Sequence, residues 1–377
     1  MCVTFFTLSE PGFKLILAFN RDELLDRPTL SAHWHDFVGF SSSPNTPLTD
    51  DGRPYPVKNE KVKPLEIVGE GQGRVLSGRD WSSTVGGTWL GITKDLKVGM
   101  ITNNPRTPPA PGVQSLKTPP SRGKLLRDFL SAAPQLTSPP GAAEYLTSHH
   151  PTSGIYEGFN LVLFSLAKPQ PDIGYLTNRP QPFTFSGLNR IQDLAGPKGC
   201  IGLSNLPIDK KWPKVKEGEE RMAKTLEEWK SASEGIDELI ERMFSVLSPS
   251  KQVECDNDIT MSTTISPVKL GQDVLFNKDP TNTLTRWGGT RTATVIAITE
   301  KGEVVYVERD IWVLGDDVDM DFFTCLAGNS LYNQHDANAL RLDFGDYGQL
   351  CSEMVMEPQA FFVHFIPKPP MSKHHSI

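Results

Sequence analysis

Six residues spread along this chain could assemble a site for acyl-transfer chemistry, and the first is Cys2, directly behind Met1. Aminopeptidase trims an initiator methionine when the next side chain is small, and cysteine is small enough. The mature chain then carries a thiol and a free α-amine on one residue. The amine, with a pKa of about 7.7–8.0, can take the thiol proton, and the thiolate can attack a carbonyl. Taken alone, Cys2 is read more simply as the start of an apolar strand.

Other residues bear on that choice. Asn20-Arg21-Asp22-Glu23 follows the apolar run Lys14–Phe19 at a strand exit. A solvated turn with a salt bridge is the ordinary explanation. However, a hairpin through Glu10-Pro11-Gly12 sets the end of the second strand beside the start of the first. Arg21 and Asp22 are therefore expected next to the thiol, the arginine favouring the thiolate and the carboxylate holding the α-ammonium. Asn103, or Asn104 directly before Pro105, ends a later strand, and Asn205 ends another within Gly202-Leu203-Ser204-Asn205-Leu206-Pro207. Asparagine at a strand end is usually a turn former. Its uncharged amide also suits an oxyanion hole. Arg291 opens a strand after Gly288-Gly289-Thr290, either as a rim charge or aimed at the site. If the site is real, the six must converge, with the Cys2 sulfur at the mouth of a cleft and the Asn205 amide aimed at one point near it.

Several classes are disfavoured. The chain has 377 residues, 38% hydrophobic and 22% charged, with a net charge of −7. No basic cluster interleaved with aromatics suggests nucleic acid as a partner. Cys2, Cys200, Cys255, Cys325 and Cys351 are odd in number and widely spaced, which fits a reducing compartment and no disulfide framework. His33, His35, His149-His150 and His374-His375 have no acidic or cysteine partner at ligand spacing, so no metal is expected. There is no GxGxxG, no P-loop and no serine elbow, and no cofactor is expected. No secretory signal and no apolar run long enough to cross a membrane is visible, leaving peripheral membrane association at most.

The elements that must position these residues alternate in blocks. Strands are expected over 3–8, 14–20, 74–77, 88–93, 97–103, 159–166, 173–177, 199–204, 292–299 and 303–308. Helices are expected over 122–132, 141–148, 213–231 and 235–247, with Pro213 suited to a first turn. Strands joined by tight turns, with helices grouped between them, make an α+β layered fold. Residues 28–64 and 105–121 are Pro/Ser/Gly-rich and read as surface insertions outside the sheets, placed to lid the cleft, with 366–377 as a flexible tail. A single domain over 1–365 is expected.

In order, MCVTFF, ILAFNRDE with Arg27-Pro28, LSGRD at 76–80, GGTWLGI at 86–92, TNN at 102–104, YEGFNL at 156–161, GLSN at 202–205 with Trp212, and GTRT at 289–292 with Glu308-Arg309 resemble the NRDE family, or transport and Golgi organisation protein 2 family. The resemblance runs from residue 2 to about 310. It implies a four-layer αββα sandwich of the N-terminal-nucleophile hydrolase type. A more distant likeness to the choloylglycine-hydrolase and penicillin-acylase group implies a cysteine nucleophile at Cys2, supported by Arg21, Asp22 or Glu23, Asn103 or Asn104, Asn205 and Arg291. The family is associated with Golgi organisation, secretion, and lipid or haem homeostasis. The ligand implied is a small acyl compound or a lipid-like or haem-like molecule, met in the cytoplasm in association with Golgi or mitochondria.

Overall fold

The computed structural model describes residues 2–37, 73–80, 86–105, 119–132, 140–168, 170–250, 258–270, 286–314, 323–325 and 360–365. Along the chain come β1 (Val3–Thr7), β2 (Phe13–Leu24), β3 (Thr29–His35), β4 (Val75–Asp80), β5 (Leu90–Thr93) and β6 (Lys97–Asn103). Helices α1 (Gly123–Ser131) and α2 (Ala142–His149) follow, then β7 (Phe159–Ser165), β8 (Asp172–Thr177), β9 (Phe183–Ser186), α3 (Leu188–Gln192) and β10 (Cys200–Leu203). The chain continues with α4 (Pro213–Ser231), α5 (Ile236–Leu247), β11 (Val268–Leu270), β12 (Arg286–Thr299), β13 (Val304–Asp310), β14 (Trp312–Leu314), β15 (Phe323–Cys325) and β16 (Ala360–Phe365).

Two antiparallel seven-stranded sheets result. One has the order β10-β1-β2-β12-β13-β16, with β11 added along β12; the other runs β3 to β9 in sequence order. Strand alternation sorts the side chains. Leu15, Leu17 and Phe19 of β2 meet Val98, Met100 and Phe164 of the second sheet, so the main core lies between the sheets. Ile16 and Ala18 point the other way, into a core with Leu239 and Met243 of α5 and Met222 of α4. On the far side, Ile101, Leu161 and Leu163 pack under Leu126 and Phe129 of α1 and Leu146 of α2. The fold is thus mixed α and β, with a helix layer outside each sheet.

The seat of α4 matters for the site. Gly218 faces the Phe5 ring so closely that a Cβ there would overlap it, and a Cβ at Gly202 would crowd Val215. These two missing side chains let the helix lie directly on β1 and β10. Phe5 is fully buried in that contact, which contributes about 1.5–3 kcal/mol.

Most expected elements occur where the pattern placed them. Residues 29–35 differ: within the stretch read as a surface insertion they form β3, held by pairing with β4. The polar Thr29–His35 segment has weak strand signal of its own, and its partner supplies the ladder. The remainder of the first insertion from 38 to 64, residues 106–118, and the tail at 366–377 lie outside the described residues.

Candidate functional site

β1 and β2 pair with Val3 opposite Asn20, so Cys2 comes beside Arg21 and Asp22 as the hairpin demands. The Cys2 Sγ lies 3.7 Å from the Asp22 carbonyl. On the other flank β1 pairs with β10, Thr4 opposite Leu203, and the chain leaving β10 runs along Cys2. Ser204 Oγ donates to the Cys2 carbonyl at 2.8 Å. The Asn205 Nδ2 donates to the Asn103 carbonyl at 2.6 Å. Thr102 Oγ1 donates to the Ser204 carbonyl at 2.6 Å, and Asn160 Nδ2 reaches the same oxygen at 3.1 Å. These bonds tie the two sheets together at the Cys2 end.

β12 closes the other flank of β2. Its register shifts between Thr290 and Thr292, opposite Asp22 and Arg21, which leaves Arg291 at the irregularity. The Arg291 guanidinium donates to the Arg27 carbonyl. Burial, with the nearby Arg21 charge, lowers its pKa to about 10. Cys2, Arg21, Asp22, Asn103, Asn205 and Arg291 therefore all lie at one end of the paired sheets.

Their side chains do not all share one face. Asn20 to Glu23 is not a strand exit, since β2 runs on to Leu24. Neighbouring residues consequently point to opposite sides. Arg21 faces the space between the sheets, its guanidinium 5.0 Å from the Trp89 ring centroid. Trp89 also takes Arg27 at 5.7 Å, which is doubly bonded to Asp80 at 3.2 and 2.7 Å. Asp22 meets the thiol with its backbone carbonyl and turns its carboxylate to the helix side, where the Thr290 hydroxyl donates to it at 2.5 Å. The expected pairing of Arg21 and Asp22 around the thiol is thus replaced by one residue on each face of the sheet.

The thiol is not at the mouth of a cleft. Cys2 is 2% exposed and belongs to the core between the sheets. Burial raises its pKa to about 11, with the Asp22 and Glu23 charges adding to the rise. Asn205 is also buried, and its amide is engaged by the Asn103 carbonyl. The two asparagines left open by the sequence separate clearly. Ile101 packs on the helix side and Thr102 toward the first sheet. The Asn104 N–H to Gly158 carbonyl bond, 2.8 Å, carries the ladder one residue further. Alternation then puts Asn104 on the face of Thr102 and Asn103 on the opposite one. Asn104 is fully buried, and neither side-chain polar atom has a hydrogen-bond partner among the described residues.

Two further residues enter the site. Lys214, in the first turn of α4, is fully buried, and its Nζ has no hydrogen-bond partner among the described residues. Its Nζ lies 5.4 Å from the Trp212 ring centroid. Burial lowers its pKa to about 8, against the pull of the Asp22 and Cys2 charges. The signal was present in the helix phase, because Lys214, Gly218, Met222 and Leu226 recur every four residues and all are buried. Glu308 alternates with the inward Val304 and Tyr306 on β13. Its carboxylate accepts from the Ala32 N–H at 2.8 Å and from Thr294 Oγ1 at 3.3 Å. Burial raises its pKa, with the Arg21 charge opposing.

The family described as Transport and Golgi organisation 2 matches residues 1–41 and 58–312, which include every residue of this site. The mouse (Mus musculus) Transport and Golgi organization 2 homolog is 26% identical over 318 residues, covering 82% of this chain and 93% of that protein. The bovine (Bos taurus) homolog is 27% identical over 328 residues, covering 84% and 95%. The human (Homo sapiens) homolog is 26% identical over 320 residues, covering 82% and 93%. On the extent of the family match, this chain belongs to the Transport and Golgi organisation 2 family.

Proposed function

We propose that this chain serves Golgi organisation and secretory transport, the role for which its relatives are named, through the site at the Cys2 end of its two sheets. The chemistry these six residues would carry is that of an N-terminal-nucleophile cysteine hydrolase, acting on an amide or thioester of a small acyl compound, and it requires that the buried Cys2 thiol be uncovered to meet its substrate. The supporting observation is convergence at the level of the strands: β2 carries Arg21 and Asp22, β6 ends at Asn103, β12 carries Arg291 at its irregularity, Cys2 directly precedes β1 and Asn205 follows β10, all at one end of the paired sheets. The layering of helices outside two facing sheets supports the corresponding αββα fold type.

In this reading removal of Met1 frees the Cys2 amine, which takes the thiol proton. The thiolate adds to the carbonyl carbon, and the leaving amine or thiol departs with that proton. Water then releases the acid and regenerates the thiol. The uncommitted amide of Asn104 is the first oxyanion donor and Asn205 the second, the latter only when its amide leaves the Asn103 carbonyl; loss of one such donor costs about 10²–10³ in turnover. Arg21 and Arg291 supply positive charge, and Asp22 orients the ammonium from the helix side. While Met1 remains, the base is locked in a peptide bond, so the reading requires its removal.

The test begins with intact mass of the purified chain. The Met1-free form is then assayed against acyl-CoA thioesters and N-acyl amino acids, beside Cys2→Ala. Turnover of at least one class, lost in Cys2→Ala, is expected. A Met1-free chain that hydrolyses none of them, with Cys2→Ala fully complementing a null strain, would end the hydrolase reading.

The buried thiol, held protonated with a pKa of about 11, favours a second reading: a non-catalytic binding protein for a lipid-like or haem-like ligand that keeps the hydrolase fold. A ligand that co-purifies equally with wild type and Cys2→Ala, without turnover, is its signature. With either reading we propose a cytoplasmic protein associated with Golgi or mitochondria. Among the described residues no helix is long and apolar enough to cross a membrane. Recovery of the protein glycosylated or from the medium would overturn that placement.

A further inference from the structure

Away from the Cys2 site, a cavity of about 400 Å³ opens between the β8–β9 edge of the second sheet and the loop that leads from β10 to α4. Its walls include the rings of Tyr175, Phe185 and Phe183, spaced 5.1 and 5.7 Å apart in succession. Phe183 is 52% exposed, an uncommon position for a phenylalanine with a cavity beside it. Ile208 faces these rings from the loop. The Tyr175 hydroxyl is already committed, donating to Asn160 Oδ1 at 2.7 Å and accepting from the Ile208 N–H at 3.2 Å. The tyrosine therefore offers the cavity a ring rather than a hydrogen bond.

The charges sit apart from the rings. Arg179, Arg190 and Lys210 line the cavity with Asp193 and Asp209, three cations against two acids. Arg190 is 3.9 Å from Asp193 and largely cancels it. Neither Arg179 nor Lys210 makes an ion pair within 4 Å among the described residues. An aromatic wall faced by a lining with one more cation than acid, the Glu157 charge acting on Arg179 from nearby, suits an anionic aromatic guest. The volume falls in the range of small-molecule sites, ring faces stack offset or edge-on against another aromatic, and a guanidinium grips a carboxylate through two hydrogen bonds.

We propose that this cavity is a binding site for an organic anion with a planar aromatic body of two or three rings and one carboxylate or sulfonate, stacked on Phe183 and Phe185 with its charge on Arg179 and Lys210. The site is separate from Cys2 and does not depend on hydrolysis there.

The full chain, titrated with 2-naphthoate by isothermal calorimetry, is expected to bind one equivalent saturably. Arg179→Gln with Lys210→Gln should weaken 2-naphthoate at least tenfold, the loss of a charge-assisted hydrogen bond, and leave the neutral isostere 2-naphthamide unchanged. Phe183→Ser, at an exposed position that folding does not need, should weaken both compounds. Cys2→Ala should change neither. Absence of saturable binding to the wild type overturns the proposal, as does equal affinity of naphthoate for the double glutamine variant. Loss of binding in Cys2→Ala would assign the ligand to the other site and likewise overturn it. Thermal unfolding of each variant checks that the fold is intact.

Discussion

Replacing Lys214 with methionine should make this protein more stable, by an amount that depends on pH. The Lys214 Nζ is fully buried with no hydrogen-bond partner among the described residues. Burial moves its pKa from 10.5 to about 8. A shift of that size corresponds to about 3 kcal/mol between the two protonation states. Below pH 8 the lysine is charged in both the folded and unfolded chain, and the full penalty for burying the charge is present. Between about pH 8 and 10.5 the unfolded chain holds a proton that the folded chain has released, so stability rises with pH. Above 10.5 both states are neutral and the penalty has gone. Methionine has a similar length and no charge, so Lys214→Met should be about 2–3 kcal/mol more stable than wild type at pH 7. That advantage should shrink toward zero by pH 10.5. The raised Cys2 thiol acts in the opposite sense over an overlapping range, but it is present in both proteins and cancels to first order in the difference. Urea unfolding of the two proteins side by side at pH 7, 8, 9, 10 and 10.5 measures it. A variant less stable than wild type at pH 7, or an advantage that does not change with pH, would refute the reasoning. Either result would mean that Lys214 holds a compensating partner.

Two further outcomes follow from the same site. With Met1 in place, Cys2 should react with iodoacetamide at pH 7.5 at least about 100-fold more slowly than in the urea-unfolded chain, because its pKa rises from 9.0 to about 11 and burial adds to the delay. Peptide mapping reads this, and labelling at the unfolded rate would contradict a buried thiol. Asn104→Leu should be neutral or stabilising by about 1–2 kcal/mol in thermal unfolding, since it removes an unpartnered buried amide. Asn205→Leu should destabilise by about 1–3 kcal/mol, because it strands the Asn103 carbonyl; the opposite ranking would show that the two amides have been assigned wrongly.

The hairpin between β1 and β2 was legible because its turn residues and apolar runs are local. It alone brought Cys2 to Arg21 and Asp22. Helix α4 was equally legible over Pro213–Ser231, since a proline start and a 3.6-residue period lie within one short window. Asn205 and Arg291 were singled out by strand-end patterns and by the family resemblance, and the structure sets both at the Cys2 end of the sheets, their side chains bonded to the Asn103 and Arg27 carbonyls. The bond that holds the β10 exit against Cys2 joins Ser204 to Cys2, some two hundred positions apart.

Other features belonged to the tertiary structure. β2 continues through Asn20–Glu23 because β12 pairs with it there; a polar tetrapeptide carries little strand signal without that partner. Once the strand continues, alternation divides Arg21 from Asp22, and the same rule separates Asn103 from Asn104. β3 exists because β4 lies beside it. Whether Cys2 is a surface nucleophile or a buried thiol depends on what packs over it, and those neighbours come from both sheets. Sequence by itself determined which residues are able to do chemistry and which local elements carry them, because side-chain type and short-range periodicity are properties of adjacent positions. Register, facing and burial were decided only in three dimensions, because each is a relation between segments that the chain joins through long loops.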